Sequence, residues 1–230
     1  MIVSYARRFI FIKPRKVGGT SVELFLSRFC GEDDIVTPVS PKDEKLRQGQ
    51  GPRNYRIRGC GKGRILRLLG NSAGRPALGR GGFYNHMPAR EVRRLIGEEI
   101  WAESFKFTVE RNPWDRQVSL YHWHYRDRVQ KPSFDAFIRS PLNRKISRNF
   151  DLYTIAGAIA VDRVCRYETL REDLARVFDR LGIEAEIDLP RAKVSQDRAD
   201  WRGYYTPETR DIVAGWYARE VAAFGYHFES

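Results

Sequence analysis

Phe9-Ile10-Phe11-Ile12-Lys13-Pro14-Arg15-Lys16-Val17-Gly18-Gly19-Thr20-Ser21-Val22-Glu23-Leu24-Phe25-Leu26 is the stretch whose reading decides the fold class. Its four consecutive apolar residues, closed by Lys13-Pro14, suit a strand buried on both faces, as strands of parallel sheets are. A Gly-Gly turn follows at once. From Thr20 onward Val22, Phe25, Leu26 and Phe29 recur at helical spacing, so the order is strand, glycine turn, helix. At such a junction the unpaired N–H groups and partial positive charge of a helix start favour phosphate.

A second unit of the same kind starts at Phe105-Lys106-Phe107-Thr108-Val109, turns at Arg111-Asn112-Pro113, and continues from Trp114 as a helix carrying Val118, Tyr121 and Tyr125. Arg163 to Tyr167 reads as a short strand, and Leu170 to Leu181 as a helix with Leu174, Val177, Phe178 and Leu181 on one face. Thr206-Pro207 is a helix start, with Thr206 as N-cap and Pro207 in the first turn. Together these predict one α/β domain over residues 1–230, a mainly parallel central sheet flanked by helices.

Across 230 residues, 42% hydrophobic and 13% aromatic content supplies a sizeable core and excludes disorder throughout. The formal net charge is +12, which favours anionic partners without choosing among them. Most of it lies in a Gly/Arg-rich excursion at Lys42 to Gly82, with eleven Lys or Arg, two acids and ten glycines. So long a stretch without clear elements reads as a solvated excursion; it either recruits an anionic acceptor or has no partner. Three scattered cysteines, Cys30, Cys60 and Cys165, suggest neither a disulfide framework nor a zinc site, and a reducing compartment fits best. No signal peptide or membrane span is read, since the apolar run from Tyr153 to Val161 is interrupted by Thr154 and Gly157. Cytoplasmic action is the expectation.

The chemistry concentrates in Lys13 to Ser21. Gly18 and Gly19 let backbone N–H groups approach an oxyanion, Thr20 and Ser21 add hydroxyl donors, and Lys16 adds a full charge. The spacing is not that of a Walker A loop, which disfavours an ordinary P-loop kinase. A plain tight turn with solvated lysines remains the alternative for this loop taken alone.

Arg15-Lys16-Val17-Gly18-Gly19-Thr20-Ser21 resembles the 5′-phosphosulfate loop (Pro-Lys-Thr-Gly/Ala-Gly-Thr-Ser) of the sulfotransferases that use 3′-phosphoadenosine 5′-phosphosulfate (PAPS), in particular the carbohydrate branch that includes heparan sulfate 2-O-sulfotransferase and bacterial members. Val17 replaces the usual Thr. Phe107 to Tyr121 is similar along its whole length to that family's 3′-phosphate site, which implies that Arg111 and Ser119 hold the 3′-phosphate; the structural alternative is an ion pair of Arg111 with Asp115. Arg166-Tyr167-Glu168, Leu181-Gly182, Tyr204 to Arg210 and Phe224 to Phe228 look like its closing pattern. The resemblance implies a P-loop-kinase-like layout and PAPS as donor, bound by Arg15, Lys16, Gly18, Gly19, Thr20, Ser21, Arg111 and Ser119. It also implies a carbohydrate or glycolipid acceptor, and a loop near Lys193 to Arg202 over the adenosine. No metal is required.

A hydroxyl attacking sulfur must lose a proton, and histidine is the side chain best poised to accept it near neutral pH. Of His86, His122, His124 and His227, His86 stands in Asn85-His86-Met87-Pro88-Ala89-Arg90-Glu91, which resembles the family's His-x-x-Ala-x-Glu segment. His86 is therefore the expected general base, with Glu91 either a second candidate or the group that orients it. The catalytic set is His86, Lys16 and Glu91. The rivals are a nucleic-acid-binding protein using residues 42–82 and a nucleotide kinase. The first leaves both phosphate motifs unexplained, so no nucleic acid partner is expected.

Overall fold

The computed structural model describes residues 1–49, 51–57, 82–141, 143, 148–190 and 200–229. In chain order these form β1 (Ile2–Ser4), β2 (Phe9–Phe11), α1 (Gly19–Leu26), β3 (Ile35–Val36), α2 (Pro41–Glu44), α3 (Ala89–Ile96), α4 (Glu98–Glu103), β4 (Phe105–Glu110), α5 (Pro113–His124), α6 (Phe134–Arg139), α7 (Phe150–Tyr153), β5 (Thr154–Ile155), β6 (Ala158–Ile159), β7 (Arg163–Arg166), α8 (Leu170–Leu181), α9 (Pro207–Trp216) and α10 (Ala218–Phe224).

The central sheet has the order β3-β1-β2-β4-β7. β4 runs parallel to both β2 and β7, whereas β1 is antiparallel to both its neighbours, β2 and β3. The architecture is thus mixed α/β, with β1 the strand that departs from the parallel expectation. The apolar run Met1 to Val3 is only three residues long and is followed by Ser4, too short to read as a strand. Asp34 secures this stretch from afar, its carboxylate accepting the Tyr5 and Ala6 N–H groups and the Ser4 hydroxyl.

Alternation along β2 explains its unbroken apolar run. Phe9 and Phe11 face a cluster with Phe107, Phe25 of α1 and Val177 and Phe178 of α8, while Ile10 and Ile12 face Val92 and Ile96 of α3, Trp101 of α4 and Tyr153 of α7. Both faces are covered, and each fully buried Phe or Ile contributes roughly 1.5–3 kcal/mol. Phe25 and Phe178 stack at 5.4 Å, fastening α1 to α8. A third cluster holds Trp114, Val118 and Tyr121 of α5 with Phe134, Phe137, Val213 and Tyr217. The α9 start is a capping box on Thr206 with Pro207 in the first turn, as the sequence indicates. The apolar run at Tyr153 to Val161 is largely the β5–β6 hairpin, turned by Ala156 and Gly157 at positive φ.

The basic excursion needs correction over its first part. Residues 42–49 and 51–57 are anchored to the rest of the fold at several points: α2 is capped by Ser40, Arg47 pairs with Glu44, and Arg53 bridges to Val36 while donating to the carbonyls of Cys30 and Gly31. Tyr55 and Ile57 pack against the Ile10 and Ile12 side of the core. The remainder, 58–81, lies outside the described residues, as do Cys60 and most of the expected adenosine loop.

Candidate functional site

Because β2, β4 and β7 are parallel neighbours, they deliver three loops to one edge of the sheet, where open α/β sheets place their ligands. The first loop leaves β2 through Ile12, whose carbonyl is held by the Thr108 hydroxyl at 2.8 Å. Lys13 then turns inward, fully buried, with Nζ 2.7 Å from the buried Glu23 carboxylate of α1. Arg15 is fixed through its backbone: its N–H donates to Asn149 Oδ1 at 2.9 Å and its carbonyl accepts from Asn149 Nδ2 at 2.7 Å.

Lys16 has φ +62° and Gly18 φ +75°. The Gly18 carbonyl accepts the N–H groups of Ser21 and Val22 and opens α1, leaving the Gly19 and Thr20 amides of its first turn without a partner among the described residues. The half-buried Thr20 and Ser21 hydroxyls likewise make no hydrogen bond to described residues. A Cβ on Gly18 would come within 3.0 Å of the Tyr167 ring, and one on Gly19 within 3.0 Å of the Lys13 side chain. Val17 is fully buried in the core, so the position where the resembling loops carry Thr here anchors the loop by packing.

The second loop opens α5. The Asn112 side chain caps it through the Trp114 N–H, and the Asn112 backbone N–H donates to Glu168. Asp115, Ser119 and Trp123, four residues apart, share one helix face. Arg111 lies at the head of that face, with Nε 2.7 Å from the Asp115 carboxylate, Nη1 3.3 Å from the Lys16 carbonyl, and its guanidinium 4.0 Å from the centre of the Tyr167 ring. Lys16 Nζ lies 5.8 Å from the centre of the Trp123 ring. Arg111 and the first loop are thus in direct contact, with Ser119 buried on the intervening face.

Beneath them Glu110, fully buried, accepts from Arg116 at 2.7 Å, from the Tyr153 hydroxyl at 2.7 Å and from the Arg111 N–H at 3.0 Å. Arg116 also reaches Glu220 and stacks on Tyr217. The surrounding acids hold the Arg116 charge firmly, and burial raises the Tyr153 phenol far above its ordinary range.

His86 approaches from the other side. Its backbone is left-handed, φ +60°, and its Nδ1 lies 2.9 Å from the Lys13 carbonyl. A carbonyl only accepts, so Nδ1 carries the proton and Nε2 keeps its lone pair. Burial, followed by the nearby Lys13 and Arg15 charges, lowers its pKa to about 3, leaving it neutral at physiological pH. Glu91, in the first turn of α3, accepts from the Tyr84 hydroxyl at 2.7 Å. The Lys13 carbonyl occupies His86 Nδ1, and the contact of Glu91 is with the Tyr84 hydroxyl.

The other histidines are engaged elsewhere, His122 with the Tyr204 hydroxyl and His124 against Tyr125. Sequence reasoning passed over Asn149, Tyr84, Trp123 and the contact of Tyr167 with the first loop. Trp123 was findable as the next residue on the Ser119 face, whereas Asn149 has no local signal, being 134 residues from its partner. Among the described residues no cluster of His, Cys, Asp or Glu could hold a metal ion, and no helix is long and apolar enough to cross a membrane.

The arrangement offers backbone amides, hydroxyls and cations to anions, and a neutral imidazole with its Nε2 lone pair on the same side of the sheet. The chain is 34% identical over 107 residues to an uncharacterised protein of Archaeoglobus fulgidus, a match covering 45% of this chain and 88% of that protein. A family model described as the sulfotransferase family matches residues 2–227, a span that takes in both phosphate-type loops, His86 and the closing strand and helices. With that span and this site, the chain belongs to the sulfotransferase family.

Proposed function

We propose that the protein transfers a sulfuryl group from PAPS to a hydroxyl of a carbohydrate acceptor. The observation that supports this reading most is the hydrogen bond from Arg111 to the Lys16 carbonyl, since it joins the loops after two parallel strands, both of which offer groups suited to anions. The residues fit a donor with separate anionic groups. The Gly19 and Thr20 amides and the Thr20 and Ser21 hydroxyls take the phosphosulfate, and Arg111 with Ser119 takes the 3′-phosphate. Gly18 keeps the loop close to Tyr167, and this layout of strand, loop and helix is the basis for likening the fold to that of P-loop kinases.

The donor supplies an electrophilic sulfur joined through oxygen to a phosphate leaving group. His86 Nε2 takes the acceptor hydroxyl proton as the new O–S bond forms, the loop amides hold the sulfuryl oxygens, and Lys16 meets the charge released on the phosphate oxygen. His86 owes its proton arrangement to the Lys13 carbonyl. Burial is the main cause of its low pKa and the Lys13 and Arg15 charges add to it; an anionic donor offsets those charges, so base strength rises once the donor is bound. Glu91, tied to Tyr84, steadies the start of α3 behind His86.

Adenosine 3′,5′-bisphosphate should raise the melting temperature at submillimolar concentration, and Arg111→Ala should abolish most of the shift. No shift at millimolar ligand, or an equal shift with ATP, overturns the two-phosphate assignment. Stabilisation by oligonucleotides alone would favour a nucleic-acid binder.

A further inference from the structure

At the edge of the sheet opposite the candidate site, where β2, β4 and β7 begin, lies a depression of about 460 Å³. Its lining is strongly charged. Arg7 and Arg8 come from the turn between β1 and β2, Glu103 closes α4, Lys106 lies at the start of β4, Asp162 precedes β7, and Arg180 belongs to the last turn of α8. Asp162 is engaged by Lys106, through the ammonium at 3.0 Å and the backbone N–H at 2.7 Å, and the same ammonium donates to the Ser104 carbonyl at 2.8 Å. The side chains of Arg7, Arg8 and Arg180 form no ion pair or hydrogen bond among the described residues, so Glu103 is the one lining acid left to face three guanidiniums. Other exposed arginines have a carboxylate beside them, as Arg93 has Glu98, Arg139 has Asp135 and Arg219 has Asp151.

The turn that carries two of these arginines is held in place by its own backbone. Asp34 accepts the Tyr5 and Ala6 N–H groups, the Ser4 hydroxyl accepts the Arg7 N–H at 3.2 Å, and the Arg8 carbonyl accepts the Phe105 N–H at 2.8 Å. Arg8 has φ +51°, a left-handed backbone that is uncommon outside glycine, asparagine and aspartate. Strain of this kind gathers where a side chain is put to use. Cations of one sign drawn into one concavity focus a positive potential there, and guanidinium forks match the oxygens of phosphate and sulfate groups.

We propose that this depression is a second anion site, which takes a compact phosphate or sulfate ester. Arg7, Arg8 and Arg180 receive the oxyanion, and a hydroxyl of the same ligand donates to Glu103. The site is separate from the one built on the β2–α1 and β4–α5 loops, since those loops leave the opposite ends of the same strands. It stands whether or not the protein transfers sulfuryl groups.

Amide NMR titrations of the full chain with inorganic phosphate, inorganic sulfate, glucose 6-phosphate, glucose 6-sulfate and glucose test it. At least one ester should give saturable shifts at the Arg8, Ser104, Lys106 and Arg180 amides, with a Kd of about 1 mM or tighter and at least about tenfold tighter than glucose. The tighter of the phosphate and sulfate arms then names the ester. Combining Arg7→Gln, Arg8→Asn and Arg180→Gln should weaken that binding at least about tenfold, Asn being chosen because it tolerates the left-handed backbone. Arg180→Gln alone, on an exposed position of α8, should weaken it at least about threefold and decides the matter if the combined variant does not fold. A control that removes equal charge elsewhere, Arg93→Gln with Arg139→Gln and Arg219→Gln, should change it by less than about twofold. The proposal is overturned if no anion gives saturable shifts at those amides, if glucose binds as tightly as the esters, if the Arg180→Gln protein binds as the unmodified one does, or if the control loses as much affinity as the combined variant.

Discussion

β2–α1 and β4–α5 are built alike, run side by side and end at the same sheet edge, but they treat their polar groups in opposite ways. Around the first loop, the Gly19 and Thr20 amides and the Thr20 and Ser21 hydroxyls have no partner among the described residues, and the buried groups nearby, Lys13 and Glu23, satisfy one another. Around the second, nearly every group is engaged: Arg111 with Asp115, Asn112 with Glu168, and Glu110 with Arg116 and Tyr153. The first loop leaves open backbone N–H groups that α1 cannot itself satisfy. The second presents a side-chain cation, and a long flexible guanidinium is useful only if other contacts hold it in place.

The contrast breaks most severely at Glu110. Glu110→Gln leaves the Arg116 charge buried without its closest partner, and removal of one member of a buried pair costs about 3–5 kcal/mol. For a chain of this size that lowers the melting temperature by on the order of 10 °C in a thermal melt. A loss below about 1 kcal/mol would mean that Glu220 compensates and that the second unit is less tightly organised than its contacts imply.

His86→Ala is the next largest effect. Sulfuryl transfer from labelled donor to a glycan panel should fall by about a hundredfold or more, with bisphosphate affinity nearly intact, since in the proposed reaction the imidazole serves the acceptor. The same variant tests the acid response. The folded protein holds His86 at about 3 against an ordinary 6.5, so between those values the unfolded chain binds a proton that the folded chain refuses. Stability therefore falls as pH is lowered from 6.5 towards 3, and His86→Ala should flatten that slope in urea titrations at pH 6.5 and 4.5. An unchanged slope would place the acid sensitivity elsewhere, with Glu23, held at about 2 chiefly by its cationic neighbours, losing its contribution only at still lower pH.

The smallest effect falls on the open loop. Gly18→Ala forces a side chain into the left-handed region at φ +75°, 3.0 Å from the Tyr167 ring, for about 1–2 kcal/mol of stability. Because that ring also stacks on Arg111, the substitution should weaken bisphosphate binding several-fold. Stability lost with affinity unchanged would show that the two loops are not coupled through Tyr167.

The helices and strands around both loops were legible in the sequence because their signals are local. The α8 bounds, Leu170 to Leu181, and the Thr206-Pro207 start of α9 follow from periodicity and capping within a single turn or two. β1 was not legible: three residues carry no period, and Asp34, some thirty residues away, closes its turn. The packed ends of the basic segment were missed for a similar reason. Arg53 reads as one more surface charge until the carbonyls of Cys30 and Gly31 are brought to it.

By itself the sequence determined the two strand-turn-helix units, the residue types offered to anions and the resemblance to PAPS-dependent sulfotransferases, since these depend on neighbours within a few positions. Only the tertiary structure decided which polar groups are occupied and which are left for a ligand. The partners that settle this lie far apart in the chain, 73 residues between His86 and Lys13, 95 between Arg111 and Lys16, and 134 between Asn149 and Arg15. The order of the parallel strands sets those distances, because hydrogen bonds act only over contact range and the sheet determines which loops come into contact.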